Sequence, residues 1–358
     1  MGRTPYERLA RVGMSQNLRA QVTNLTGLAL ILAVWTLYAV YFSPTHGWTF
    51  YFQLTVNGII LGSVYALIAL GYTMVYGILK LLNFAHGDVF MIGAFIAFGV
   101  LTLIGGAYNP AIPAGAGGAL ILLCMFVAAM GGSGMLGVAI ERFAYRPLRN
   151  APRIAPLITA LGVAFFLENS ILLLFGSRFR TYNGFDLVSY EGIHIGGENG
   201  VFVQYLGLMV IVSAVALMIG LIALVRWTQL GRAMRAVSYD GEAAAMMGID
   251  IDRVIAGTFF IGSALAGAAG VMFALLYSQI YHLMGFLAGL KGFTAAVVGG
   301  IGSIPGAMLG GLLVGLVESW AKGYLSGNVS DLVVFGILIG IMLVRPSGLL
   351  GTPALQKV

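Results

Sequence analysis

Few side chains in this 358-residue sequence can do chemistry inside an apolar chain, so each one is informative. Glu168 and Asn169 interrupt the apolar stretch 155–175. A charged group near the middle of a membrane helix costs about 2.5–3.5 kcal/mol, so it should face a cavity or a partner. Two readings stand for Glu168: a polar lining of a solute path, or a protonated carboxyl satisfied by a neighbouring helix. Lys291 poses the same question. Its neighbours Gly289 and Gly292 lead us to expect a broken segment near the outer surface. The run Asn83-Phe84-Ala85-His86-Gly87-Asp88 joins two apolar stretches. Its polar groups suit capping a helix and tying a turn, with Asn83 and His86 as candidate path residues in the alternative.

Other chemistries find less support. Gly131-Gly132-Ser133-Gly134 has the form of an intramembrane serine protease tetrad, but the serine needs a histidine base. Of the four histidines, His46 and His194 fall in expected outer loops and His282 just past a helix end. His86 belongs to the polar run above. Asn109-Pro110-Ala111 matches a water-channel signature once, where two copies are needed, and reads as a turn. There is no H-E-x-x-H pair and no G-x-x-x-x-G-K-[ST] phosphate loop, so neither metal hydrolysis nor ATP hydrolysis is expected of this chain. The single cysteine, Cys124, excludes an internal disulfide and a cysteine-rich metal site. No catalytic residue, metal site or bound cofactor is expected.

These residues must be positioned by membrane helices. The chain is 59% hydrophobic and 9% charged, against about 25% charged in a soluble domain. Its 52 glycines fit a close-packed helix bundle and not an alternating-strand barrel. The fold expected is an all-α polytopic membrane protein of nine or ten transmembrane helices, with one broken or re-entrant segment. Apolar runs fall at about 25–42, 53–77, 88–104, 114–140, 154–176, 203–225, 254–277, 286–302, 304–321 and 329–344. The last of these but one is divided from its predecessor by the glycine-rich run 299–306. Residues 1–52 read as a basic leader with an extra helix, and 53–358 as the main domain. With both termini inside, cytoplasmic segments hold 15 of the 19 lysines and arginines, as the positive-inside rule requires. The net charge of +6 therefore reports orientation and not nucleic-acid binding. Gly62-Ser63-x2-Ala66-x2-Ala69 recurs as Gly262-Ser263-x2-Ala266-x2-Ala269, the pattern an inverted repeat would leave, although glycine-alanine helices also match by chance. Gly306-x3-Gly310 and Gly311-x3-Gly315 read as close-packing faces.

The charge-rich segment 226–253 lies between two apolar runs on the cytoplasmic side. Ser238 can cap a helix of about ten residues, with Asp240 and Glu242 in its first turn. Ala243 to Met247 favour helix, and Gly248 stops it. So short a helix needs a surface to rest on. That surface is either a partner protein received by Met246 and Met247 or the bundle itself.

Glu242-Ala243-Ala244, three residues and then Gly248 resembles the E-A-A-x3-G core of the coupling loop of ABC importer permeases, without its usual I-x-L-P continuation. ALIALGYTMVYGI and NFAHGD within Gly62–Asp88, the stretch Gly231–Gly248, then KGFTAAVVGGIGSIPGAMLGG and RPSGLLG within Lys291–Gly351 are similar to permeases of the branched-chain amino acid ABC transporter family, LivH type. The resemblance covers most of 53–358. It implies a second homologous permease, two cytoplasmic ATPase subunits carrying ATP and Mg, and a periplasmic substrate-binding protein as partners. It implies residence in a bacterial inner membrane among lipid. It also assigns coupling to Arg232, Arg235, Asp240, Glu242, Ala243, Ala244, Met247 and Gly248. Asn83, His86, Glu168, Asn169 and Lys291 are the path candidates. The solute would be a branched-chain or other hydrophobic amino acid, or a related amide or urea. A secondary transporter or channel working without an ATPase is the rival reading.

Overall fold

The computed structural model describes residues 47–104, 116–149, 151–152, 154–182, 191–197 and 200–351. The leader, the expected helix at 25–42 and Asn109-Pro110-Ala111 lie outside the described residues. Among the described residues eleven α-helices follow one another. They are α1 (Trp48–Leu79), α2 (His86–Leu103), α3 (Ala116–Ile140), α4 (Ile154–Phe175), α5 (Tyr205–Trp227), α6 (Gln229–Tyr239), α7 (Gly241–Met246), α8 (Ile251–Tyr277), α9 (Met284–Gly299), α10 (Ile304–Tyr324) and α11 (Gly327–Val344). Among the described residues eight helices are long and apolar enough to cross a membrane, and α9 is a shorter apolar helix. At about 1.5 Å per residue, the 16 residues of α9 fall short of the ~20 needed to span the hydrocarbon. The expected break thus falls around α9. Lys291 itself sits inside a continuous helical turn. That corrects the expectation of a break at Lys291, because Gly289 and Gly292 serve packing: a Cβ on either would strike Gly87 or Ile68.

Burial ranks the helices. The most apolar window of α1 is 94% buried and that of α11 only 11%, so α1 is the axis and α11 the rim. A helix apolar all round belongs inside, and α1 is such a helix. Lipid gives no hydrophobic drive between helices, so close approach has to come from small side chains. Gly58 and Gly62 of α1 lie on Leu316 and Leu312 of α10. Gly311 and Gly315 of α10 lie in return on Ala66 and Gly62. On the other side of the bundle, Gly267 of α8 meets Ala129 and Ser133 of α3, and Gly137 of α3 meets Ser263. Ser133 is fully buried and its Oγ donates to the Val89 carbonyl at 3.4 Å. It therefore serves as a packing residue between α2, α3 and α8.

The duplicated Gly-Ser-x2-Ala-x2-Ala motifs lie on α1 and α8, which pack together with Gly71 close to the Gly262 carbonyl. These helices run in opposite senses. Gln53, near the start of α1, exchanges hydrogen bonds with the Phe202 backbone (2.9 and 2.8 Å). Ser278, just past the end of α8, accepts from Tyr182 N–H at 2.9 Å. Both partners belong to the segment that, among the described residues, carries all the strands, β1 (Arg180–Thr181), β2 (Gly192–Ile195) and β3 (Val201–Gln204), apart from β4 (Gln279–Ile280). β2 pairs with β3 and β1 with β4, each antiparallel. Lys80 after α1 (φ 55°) and Ser278 after α8 (φ 53°) are the two non-glycine residues in the left-handed region among the described residues. Each lies six positions before the next helix, α2 or α9. The two copies share sequence, sense reversal and cap geometry.

At the opposite end, α3 widens into a π turn at Glu141–Tyr145. Arg149 pairs with both buried Glu141 and Asp252 of α8, and Arg146 also pairs with Asp252. We expect Arg149→Met to lower stability by roughly 1–3 kcal/mol, the cost of leaving a buried acceptor unpaired. Thermal unfolding of the detergent-solubilised chain measures this, and an unchanged midpoint refutes it.

Candidate functional site

Three places hold the functional candidates. The first is where α2 and α9 begin. Gly87 and Gly285, the second residue of each helix, stand backbone to backbone, and a Cβ on either would strike the other's carbonyl. Beside this crossing, Asn83 is buried and its Oδ1 accepts from Tyr145 OH at 3.1 Å. The π turn carries that tyrosine, and such turns are frequent at functional sites. The His86 ring lies over Gly71 and 4.7 Å from the Tyr72 ring. Its Nε2 is buried with no hydrogen-bond partner, as is Oδ1 of Asp88. Glu168 of α4 joins Asp88 and Tyr72 around a cavity of about 60 Å³. Asn83 and His86 lie at this crossing, with Glu168 facing the same cavity as Asp88. Asn169 stands apart. It is exposed, and its Nδ2 donates to the Phe165 carbonyl of its own helix at 2.7 Å. One step along a helix turns a side chain by about 100°, so neighbours in sequence face different ways.

The second place surrounds Lys291, in the interior between α9, α10 and α11. Its Nζ lies 2.8 Å from Glu318 Oε1 and 2.7 Å from Asp331 Oδ1. Lys322 Nζ reaches the same Glu318 oxygen at 2.6 Å. Lys291 and Glu318 are buried. Sequence reading missed Glu318, Asp331 and Lys322. The available signal was an i, i+4 Glu-Lys pair in an otherwise apolar helix. Asp88, read only as part of a turn, was underrated for the same reason: its orphaned oxygen is a three-dimensional property.

The third place is the charge-rich segment 226–253. The structure divides it in two, which corrects the single helix capped by Ser238. Ser238 Oγ donates to the Arg235 carbonyl within α6, and the cap of α7 is Asp240, which accepts from Ala243 N–H at 3.0 Å. Asp240 wins because its extended backbone (φ −153°) breaks the run. Gly231, Met234 and Val237 bury one face of α6, which packs on α5, α8 and α1. Arg232 Nη1 donates to the Trp227 carbonyl at 3.3 Å, and Arg235 Nη1 to the Val225 carbonyl. Both guanidiniums thus tie to the carbonyl end of α5, where the helix dipole favours cations. On α7 only Ala244 is buried. Glu242, Ala243, Met247 and Gly248 are exposed, and Met246 and Met247 are each 83% exposed. Gly248 has φ +83°, so the turn after α7 needs glycine.

Comparison with known proteins bears on this arrangement. Residues 54–342 match the family model described as "Branched-chain amino acid transport system / permease component". The chain belongs to this permease family. The permease is 44% identical over 311 residues to a protein of Pseudomonas aeruginosa, the high-affinity branched-chain amino acid transport system permease protein BraD. That match covers 86% of this chain and 98% of the relative. It is 42% identical over 312 residues to LivH of Escherichia coli K12, with the same coverage. The archaeal probable LivH of Methanocaldococcus jannaschii is 28% identical over 307 residues, covering 82% of this chain and 91% of the relative. The matched span of the family model includes all three places described above, and the permease is an all-α membrane protein of that family.

Proposed function

We propose that the permease is the non-catalytic, membrane-spanning subunit of an ATP-driven importer that carries leucine, isoleucine and valine across the bacterial inner membrane. Its partners are a second homologous permease, two cytoplasmic ATPase subunits that bind ATP and Mg, and a periplasmic binding protein that delivers the amino acid. Relatives named as branched-chain amino acid permeases support the substrate class. The observation that carries the ATPase partnership is α7. A six-residue helix cannot stand alone in water, yet this one offers Met246 and Met247 outward from a rigid support. Methionine fills irregular grooves on partner surfaces.

In this reading α6 is the lever and α7 its contact. Closure of the ATPases pushes α7, and α6 passes the displacement to α5, α8 and α1 together. Asp240 and Gly248 shape α7 at its two ends, Ala244 seats it, and Glu242, Ala243 and Met247 meet the partner. Arg232 and Arg235 transmit the push by binding α6 to α5. The solute then moves near Asn83, His86, Asp88 and Glu168 on one side and Lys291 on the other.

Proteoliposomes holding the permease with its partner subunits should take up labelled leucine only when ATP and the binding protein are both supplied. Uptake by the permease alone, driven by an ion gradient, would refute the reading in favour of a secondary transporter. The double substitution Met246→Asp and Met247→Asp should lower uptake by roughly tenfold or more, the loss of a buried interface anchor. Its insertion and thermal midpoint should stay at the wild-type value, since neither side chain is buried within the chain.

A further inference from the structure

The charged cluster around Lys291 opens into a cavity of about 210 Å³ lined by both charged and apolar side chains. Lys291, Glu318 and Lys322 line it together with the apolar Phe273, Leu287 and Ala288. Tyr277, Gln279, Tyr281 and Tyr65, the last of which interacts with Glu318, add polar edges. With Asp331, the cluster holds two cations and two anions, so it is electrically balanced. Balance alone would describe a structural knot. Two observations point to a ligand. Glu318 is fully buried, and its Oε2 has no hydrogen-bond partner. A buried carboxylate oxygen left unmade costs stability. Lys322 Nζ, in contrast, is on a side chain 38% exposed. That lysine also borders a second, wider cavity of about 380 Å³ beside Asn57 and Gln204, at the start of α1 and the end of β3.

We propose that this cavity is a recognition site for a single zwitterionic α-amino acid with an aliphatic side chain, entered past Lys322. The inference rests on the importer reading above and locates where the permease itself reads the solute. The ammonium of the solute donates to the vacant Glu318 Oε2. Its carboxylate takes Lys322 Nζ away from Glu318 Oε1, and Lys291 stays in place between Glu318 and Asp331. The side chain lies on Phe273, Leu287 and Ala288. An amino acid is net neutral with both signs, so it enters a balanced cluster without leaving a charge over. A simple anion or cation would leave one unpaired in a low-dielectric site, which is costly. The volume lies below the roughly 300–1,000 Å³ of pockets for drug-sized ligands, so a peptide does not fit.

The test uses the solubilised full chain and the assembled transporter. Leucine should raise the thermal midpoint of the wild-type chain. 4-Methylpentanoate, which lacks the ammonium, and 3-methylbutylamine, which lacks the carboxylate, should not. Ala288→Leu fills the apolar part of the lining and leaves every charge in place. Ala288 is buried, so without ligand the midpoint should stay at or somewhat below the wild-type value, while the leucine shift is lost and transporter uptake falls about ten- to hundredfold. Glu318→Gln should lose the preference for leucine over 4-methylpentanoate. If Glu318→Gln fails to fold, Ala288→Leu alone decides. Wild-type uptake that Ala288→Leu leaves unchanged would overturn the site while sparing the importer reading. Absence of amino acid uptake by the wild-type assembly would overturn both.

Discussion

Gly87→Val should prevent the permease from reaching a folded state. A Cβ at this position meets the Gly285 carbonyl and lies 2.9 Å from the Gly289 Cα. Neither is the mobile end of a side chain, so the strain has no local outlet. Overpacking a core costs about 1–3 kcal/mol when side chains can adjust, and here two helix backbones must separate instead. Their separation also moves Asp88 and Glu168, which face one cavity beside the crossing. A fluorescent fusion analysed by size-exclusion in detergent should show aggregated or absent Gly87→Val, while Gly77→Ala, with open space around it, elutes as wild type. A Gly87→Val chain with the wild-type profile and midpoint would show that the crossing tolerates a wider gap than its geometry implies.

The second large effect concerns Lys291. Lys291→Met removes the cation shared by Glu318 and Asp331 and leaves Glu318 buried with Lys322 as its one remaining cationic partner. Breaking a buried pair by removing one member costs about 3–5 kcal/mol. Replacing the buried pair and Asp331 together by apolar residues is far milder, because no buried charge is left stranded and Lys322, 38% exposed, keeps its contact with water. The triple substitution Lys291→Met, Glu318→Leu and Asp331→Leu should therefore recover most of the lost thermal midpoint. It should not recover leucine uptake. Equal stability of Lys291→Met and wild type would mean that water reaches the cluster and screens it. Recovery of uptake by the triple variant would reduce the cluster to a scaffold.

Much of the architecture was legible because it is written locally. Apolar runs and the basic-residue asymmetry gave the helices and their order, and the glycine-rich run 299–306 placed the α9–α10 turn. The left-handed Gly300 and Gly302 lie within that run. The GxxxG faces of α10 could be read for the same reason, since spacing on one helix fixes a stripe. The division of the charge-rich segment 226–253 was not legible. Ser238 and Asp240 are both good caps, and only the burial of Met234 and Val237 against the bundle decides that α6 runs on to Tyr239. Nor was the charged cluster legible, for Lys291, Glu318 and Asp331 belong to three helices. Asn169 shows the converse. Beside Glu168 in sequence, it shares none of its surroundings, because helical rotation separates adjacent side chains.

The pairing of α1 with α10 also sets a timetable for biogenesis. The small-residue face of α1 is complete once Leu79 is made, but its partner starts at Ile304. At about 5–20 residues per second, the ribosome leaves that face uncovered for ~10–45 s. α8 has its partner α3 already waiting, so the two helices that carry the Gly-Ser-x2-Ala-x2-Ala pattern mature under different conditions. During the delay, lipid or an insertion factor must cover the α1 groove. A nascent chain cut short before α10 would leave Gly58 and Gly62 of α1 without the helix they pack against.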